Sequence, residues 1–317
     1  MKEINCIFCN KKSDEIVIVE NDYSCKKCHQ CGLIYLSPRP TLKEIKNLYK
    51  KDHAYISAED RIAPEYIKNF HAKHHMKLIK KFIKQGSLLE IGPGGGQFLY
   101  DAKENGFDPY GIELNPKQAQ FINNKMKIPC EDQELSIDSF KRKMFDVIYH
   151  CDVLSHFYDP INELKKMNAK LRMNGYLVFE TGILTDVNTK FLSLFHPFQL
   201  PDHLFFFSDS SMQSLLQKTG FSFIKIIKYS ISIQILAINL ISRIRRRKTN
   251  SGKNEFYQSK NSIPFPTPDH TNKLRTLLKK SYHYFLHFLR YNLGYLLPKK
   301  HVPVTAIIIA KKTSQCN

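Results

Sequence analysis

Five of the eight cysteines in this 317-residue chain fall within the first 31 positions: Cys6, Cys9, Cys25, Cys28 and Cys31. Cys6-x-x-Cys9 and Cys28-x-x-Cys31 are two knuckles. Each bends two thiolates towards one point, and together they complete a tetrahedron suited to zinc. Cys25-x-x-Cys28 is an overlapping knuckle, so Cys25 competes with Cys31 for the fourth place. Gly32 gives the turn after Cys31 room and favours Cys31. The expected ligands are Cys6, Cys9, Cys28 and Cys31, holding one structural zinc with no position left for substrate. The alternative is a ribbon that has lost its metal.

A second group of residues suits a cofactor. In Ser87-Leu-Leu-Glu-Ile-Gly-Pro-Gly-Gly-Gly-Gln-Phe-Leu99, an apolar stretch runs into Gly92, Gly94, Gly95 and Gly96. Missing Cβ atoms let a ligand approach the backbone at the start of the following helix. The dinucleotide fingerprint needs a sixth-position glycine, and Gln97 stands there; a P-loop needs Gly-Lys-Ser/Thr, which is absent. Glu90 at the loop entrance repels a pyrophosphate and attracts a cation. The sulfonium and ammonium of S-adenosylmethionine meet that charge requirement. Glu113, about 20 residues further on, is placed to accept two ribose hydroxyls, unless it only caps the helix near Pro116. Leu114, Asp132, His150 and Cys151 complete the expected cofactor set, with Asp132 facing the adenine amino group or simply solvated.

A base for the acceptor would come from the loops after the strands, where His150, His156, His196 and His203 fall. His203, followed by an aromatic run, is the first choice and His156 the second; hydrogen-bonded structural histidines are the competing reading. His71, His74 and His75 have metal-like spacing but lie on a charged helix, and a solvated face is expected for them.

The elements that must position these groups alternate strand and helix. Leu88–Ile91 and Pro109–Glu113 read as strands; Gln97–Asn105 reads as a helix ended by Gly106. Glu15–Glu20 is a ribbon strand. Phe221–Tyr229 and Val302–Ala310 read as the last two strands, with about 70 residues between them.

That intervening span holds the charge. The formal net charge is +19, and residues 225–300 carry sixteen Lys or Arg against Glu255 and Asp269, which is +14. Ile235–Lys248 reads as an apolar helix ending in a basic cluster, 250–270 as a loop with Pro264, Pro266 and Pro268, and Lys273–Leu297 as an amphipathic helix with Arg290 off its apolar stripe. Such helices suit an anionic membrane surface first, a packed lid or oligomer face second, and nucleic acid third. The N-terminus has no secretory pattern, and the longest apolar run, Tyr229–Ser242, is short of the ~20 residues that span a bilayer.

Glu90-Ile-Gly-Pro-Gly-Gly-Gly96 with Gly111-Ile-Glu-Leu-Asn-Pro116 resembles the class I S-adenosylmethionine-dependent methyltransferases. The resemblance continues through Phe145–Pro160, Leu171–Glu180 and His203-Leu-Phe-Phe-Phe-Ser208. The cysteine ribbon running into Gly32–Pro40 is similar to a subgroup with an N-terminal zinc-binding segment, many of whose members serve glycan, sugar or secondary-metabolite pathways. Where that subgroup often has Glu before the loop histidine, Ser155 precedes His156.

The resemblance implies an α/β Rossmann-like, seven-stranded doubly wound sheet with an antiparallel last strand and a small zinc ribbon. The expected divisions are 1–40 ribbon, 41–229 core, 230–300 basic helical insertion and 301–317 last strand and tail. The expected activity is methyl transfer from S-adenosylmethionine to O, C or N of a small molecule, sugar or glycan/lipid-linked intermediate. The location expected is cytoplasmic or peripheral at the inner membrane face through residues 235–297, with nucleic acid disfavoured. The rivals are an RNA methyltransferase and a non-catalytic scaffold that keeps the fold.

Overall fold

A computed structural model describes residues 1–45, 65–184, 187, 198–233, 235–237, 281–282 and 284–315. The N-terminal ribbon has three strands, β1 (Ile16–Glu20), β2 (Tyr23–Lys27) and β3 (Ile34–Leu36). Then come α1 (Glu65–Ile79), β4 (Gly86–Ile91), α2 (Gln97–Glu104), β5 (Phe107–Ile112), α3 (Pro116–Phe121), β6 (Cys130–Glu131), β7 (Phe145–Cys151), α4 (Pro160–Lys170) and β8 (Leu171–Ile183). The chain closes with β9 (Phe205–Phe206), α5 (Asp209–Lys218), β10 (Phe221–Ser230), a π-helical turn at Leu289–Leu293 running into Gly294–Leu296, and β11 (Val304–Lys312).

The main sheet has seven strands in the order β10-β11-β8-β7-β4-β5-β6. β4 to β8 run parallel, and β11 is antiparallel to both neighbours. The strand order reverses at β4, which places a ligand crevice outside the carboxyl ends of β4 and its neighbours. β11, Val-Thr-Ala-Ile-Ile-Ile-Ala-Lys-Lys, is buried at all but one position. A strand covered on both faces reads as a near-continuous apolar run, and this one does up to its two closing lysines.

α1 and α2 pack on one face with Leu88, Val147 and Ile307; α4 and α5 lie on the other with Phe145, Leu177 and Ile308. Helix starts follow from sequence. Asn115 and Asp159 accept backbone N–H groups at the heads of α3 and α4, each followed by Pro, and Ser208 and Ser211 form a reciprocal cap on α5.

The ribbon is fused to this body. β3 pairs with β9 from far along the chain, making a second sheet in the order β1-β2-β3-β9. Leu33, Ile34 and Leu36 join the same apolar cluster as Phe205 and Phe207. Arg39 reaches the Tyr158 carbonyl at 2.8 Å and lies over the Tyr158 ring.

The amphipathic segment expected over Lys273–Leu297 is described only from residue 281, and Arg243–Lys248 and the proline-rich stretch lie outside the described residues. No helix among the described residues is long and apolar enough to cross a membrane. Two side-chain expectations change. His71, His74 and His75 do not form a solvated face: His75 is fully buried, and all three pack against Tyr149, Tyr229 or Tyr291. Arg290 does not face away from the protein but reaches Glu180. Helical spacing shows which residues share a stripe, while the partner elements decide which stripe is buried.

Candidate functional site

The glycine-loop half of the candidate site is built from one short stretch. β4 delivers Glu90, buried, to the carboxyl edge of the sheet, opposite Tyr149 in register. Gly92, Gly94 and Gly96 all take positive φ. Gly94 donates its N–H to Glu113 Oε2 at 2.8 Å, and Asn115 N–H reaches Oε1 at 2.9 Å. Two backbone donors thus fix the carboxylate beside the loop and leave lone pairs for hydroxyl groups. A Cβ on Gly96 would meet Met126 Sδ at 2.7 Å, so any side chain there disturbs the loop. α2 begins at this glycine without a side-chain cap, which leaves its first N–H groups to a ligand. Asp132 and Leu114 are exposed at the ends of β6 and β5. Burial pushes the nearby Cys130 thiol up to about 12, with Glu113, Glu90 and Asp132 adding to it. An acidic crevice of this kind fits a sulfonium and an ammonium.

The other half is assembled from distant segments. Cys151 ends β7 with Asp152 directly after it, and Cys151 pairs in register with Glu180 of β8. Glu180 is fully buried and accepts from His75 Nε2 (2.6 Å), Tyr291 OH (2.9 Å), Thr305 Oγ1 (3.0 Å) and Arg290 Nη1 (3.2 Å). Burial opposes its ionisation, but His75, Arg290 and His71 outweigh that and hold the carboxyl well below the usual range. His75 Nδ1 also meets Tyr149 OH at 2.5 Å, and His74 Nε2 meets Tyr229 OH at 2.8 Å.

Asp152 has φ +54 and its residue is exposed, yet protein surrounds it closely enough that burial, then the Glu180 charge, raise its pKa to about 6.

Beside Asp152 lies a third group. His156 Nδ1 sits 3.0 Å from Asp202 Oδ1, and the His156 and His203 rings are 4.6 Å apart. Burial is the larger single influence on His156, but the contacts with Asp202 together reverse it and raise the pKa. Burial and the neighbouring His156 lower His203 to about 4, which makes it a weaker base than a free imidazole. His150 is fully buried, stacked on Phe179, and burial lowers its pKa to about 3. Neither of its ring nitrogens has a hydrogen-bond partner among the described residues. His196 lies outside the described residues.

In the ribbon, the sulfurs of Cys6, Cys9, Cys28 and Cys31 lie within 4.8 Å of one another, with Cys6–Cys31 and Cys9–Cys28 both 3.4 Å apart. Zn–S bonds of ~2.3 Å in a tetrahedron set sulfurs about 3.8 Å apart, so these four side chains fit one metal ion. Cys25 stands outside the group, opposite Leu36 in the β2–β3 ladder, and burial pushes its thiol up to about 12.

A family model described as "Methyltransferase domain" matches residues 63–226. The chain belongs to this methyltransferase family. Among curated relatives, a tRNA U34 carboxymethyltransferase of Nautilia profundicola is 29% identical over 183 residues, which is 55% of this chain and 57% of that protein. One of Campylobacter jejuni is 28% identical over 181 residues, 53% of this chain and 57% of its own. The chain therefore spans little more than half the length of these relatives. A SAM dependent methyltransferase from Archaeoglobus fulgidus is similar with a TM-score of 0.46 and 17% identity, over 77% of this chain and 94% of that one.

These relatives overturn two expectations. The sequence pattern favours a small-molecule, sugar or glycan acceptor and disfavours nucleic acid, whereas the relatives are named for tRNA. The discrepancy has a physical cause. Aliphatic stripes beside basic residues suit lipid, but phosphate contacts need only Lys and Arg and no recognisable RNA module.

The residues missed in sequence were Asp152, Glu180, Asp202, Arg290 and Tyr291. Glu180 carried a signal: a carboxylate at the end of the apolar run Leu177-Val-Phe, inside a strand, needs buried partners.

Proposed function

We propose that this protein is an S-adenosylmethionine-dependent methyltransferase acting on a base in RNA. The reading rests on the likeness of its core to relatives named for tRNA U34. The net charge of +19 supports it, because binding to a phosphate backbone grows with Lys and Arg. In this reading Glu90 and the backbone of Gly92, Gly94 and Gly96 hold the methionine part of the cofactor, and Glu113 holds the ribose. His150 and Cys151 line the floor, and Asp132 lies towards the adenine.

The cofactor supplies an electrophilic methyl group with its own leaving group, so the protein has to orient the acceptor and take up a proton. Asp152, with a pKa near 6, is suited to taking the proton, being largely ionised at neutral pH and more basic than an ordinary aspartate. Glu180 and Arg290 set its surroundings. Zinc held by Cys6, Cys9, Cys28 and Cys31 would be structural and would stabilise the ribbon, whose strand β3 pairs with β9.

The test uses S-adenosylmethionine labelled in the methyl group, with total RNA from cells lacking the protein as acceptor. Label should pass into RNA, become soluble after ribonuclease treatment, and fall by roughly 100-fold in Asp152→Asn, the size usual for loss of a general base. Nucleoside mass spectrometry then identifies the methylated nucleoside. Label that stays out of RNA while S-adenosylhomocysteine still binds would overturn the RNA reading and leave the cofactor reading standing.

A further inference from the structure

His156, Asp202 and His203 offer two imidazoles and one carboxylate whose ligand atoms lie within 4.8 Å of one another. We infer that these three side chains form a second metal site, for a divalent transition-metal ion, at the mouth of the crevice beside Asp152. The inference stands whether or not the acceptor is RNA.

Geometry is the first support. His156 Nδ1 lies 3.0 Å from Asp202 Oδ1 and 3.2 Å from the Asp202 carbonyl, so it carries a proton and Nε2 is the nitrogen left for a metal; the His156 and His203 rings are 4.6 Å apart. Histidine orientation is the second. His203 Nδ1 lies 2.8 Å from the Phe198 carbonyl, so it carries the proton and leaves Nε2 as the ligand atom. A ligating histidine is ordinarily fixed in this way, by a carbonyl on its other nitrogen.

The third support is a rigid mounting. The turn bearing Asp202 and His203 is clamped by the ribbon: Glu20 accepts from Phe198 N at 2.7 Å and from Leu200 N at 2.8 Å, and Asn21 donates to the Leu200 carbonyl at 2.8 Å. Leu204 N donates to Ser155 O at 2.8 Å, which ties the turn to the loop bearing His156. A His156–Asp202 ion pair by itself would need one histidine. The second, held in place by a backbone carbonyl and brought against the first, is what a metal site explains.

A second cluster in the same molecule gives a contrast. His71, His75 and Glu180 also form a two-histidine, one-carboxylate group. There Arg290 already supplies the cation, and Tyr291 and Thr305 fill further lone pairs of Glu180. In the His156 group, an imidazole of the group itself is one ion-pair partner of Asp202. Two imidazoles and a carboxylate suit zinc, cobalt, nickel, iron or manganese and discriminate against calcium and magnesium. With three protein ligands, such an ion keeps room for water or an acceptor oxygen. The two histidines then serve as ligands, and the base is a separate group.

Cobalt(II) is the probe, added to full-length protein whose ribbon is loaded with zinc. One equivalent should bind with visible d–d bands and no thiolate charge-transfer band, since its donors are nitrogen and oxygen. Asp202→Asn and His203→Gln should each weaken binding at least tenfold, and circular dichroism checks that both variants fold. For the wild-type protein, a cobalt-edge anomalous difference map should place the ion among the three side chains. No binding beyond the ribbon metal, binding unchanged in both variants, or an anomalous peak elsewhere would overturn the site.

Discussion

The two halves of the crevice are built on opposite plans. The glycine-loop half takes most of its groups from the short stretch Glu90 to Asn115, and most of its fixed contacts are made by backbone: Gly94 N–H and Asn115 N–H on Glu113, and Gly92 N–H on the Ile112 carbonyl. The other half takes Asp152, Glu180, His75, Arg290, Tyr291 and the 198–203 turn from widely separated parts of the chain. Its contacts are made by side chains, several of them ionised and buried. A backbone-built site depends on a few residue types at fixed spacing. A side-chain-built site depends on everything that packs around it, the ribbon included.

Four experiments bear on that contrast, and the largest effect is expected in the ribbon. Cys31→Ser should abolish stoichiometric zinc in the ribbon and expose the 198–203 turn to protease, because β3 and Glu20 hold that turn. Thermal stabilisation by S-adenosylhomocysteine should persist. Equal loss of cofactor binding would show that the halves are not separable.

Glu180→Ala is next. Removing a fully buried carboxylate leaves His75, Arg290, Tyr291 and Thr305 without their acceptor, and breaking such a buried charge network costs ~3–5 kcal/mol. Denaturant unfolding measures it, and a loss below ~1 kcal/mol would contradict the network's role.

Glu113→Ala should be milder for stability and selective for ligand. S-adenosylhomocysteine binding by calorimetry should weaken roughly 10-fold or more, the worth of a hydrogen bond to a charged group, ~1.5–3 kcal/mol. RNA retention on filters should stay as it was.

The smallest effect is in pH dependence. His74 has its pKa lowered to about 4, chiefly by burial, against 6.5 for the free side chain. Between those values the unfolded chain binds a proton that the folded chain refuses, so stability is full above about 6.5 and falls as pH drops towards 4. The melting temperature should fall over that interval, and His74→Gln should flatten the slope. An unchanged slope would place the titration elsewhere.

Legibility followed the same division. The glycine loop, Glu113 and the cysteine knuckles were readable because their types and spacing fix a local backbone. Convergence of the four sulfurs also separates Cys31 from Cys25, a choice that spacing favours without deciding. A charged helix suggests a solvated face for the histidines of α1; that they lie on the buried one depends on Tyr149, Tyr229 and Tyr291, none of them near in sequence. The acceptor class is not legible because charge beside aliphatic residues has the same composition whether it meets lipid or phosphate.

By itself the sequence determined the strand and helix order of the core, the antiparallel last strand, the glycine turn after β4 and the grouping of the four thiols. Most of this is a short-range consequence of residue type: alternation, turn chemistry, missing Cβ atoms and knuckle geometry; the direction of the last strand came with the family resemblance those motifs carry. Tertiary structure alone decided that β9 completes the ribbon sheet, that Arg290 returns to neutralise Glu180, and that Asp152, His156 and His203 share one end of the crevice. Most of these are meetings of segments tens to hundreds of residues apart, and their cost and gain are set by desolvation and charge in a common interior, which no local pattern encodes.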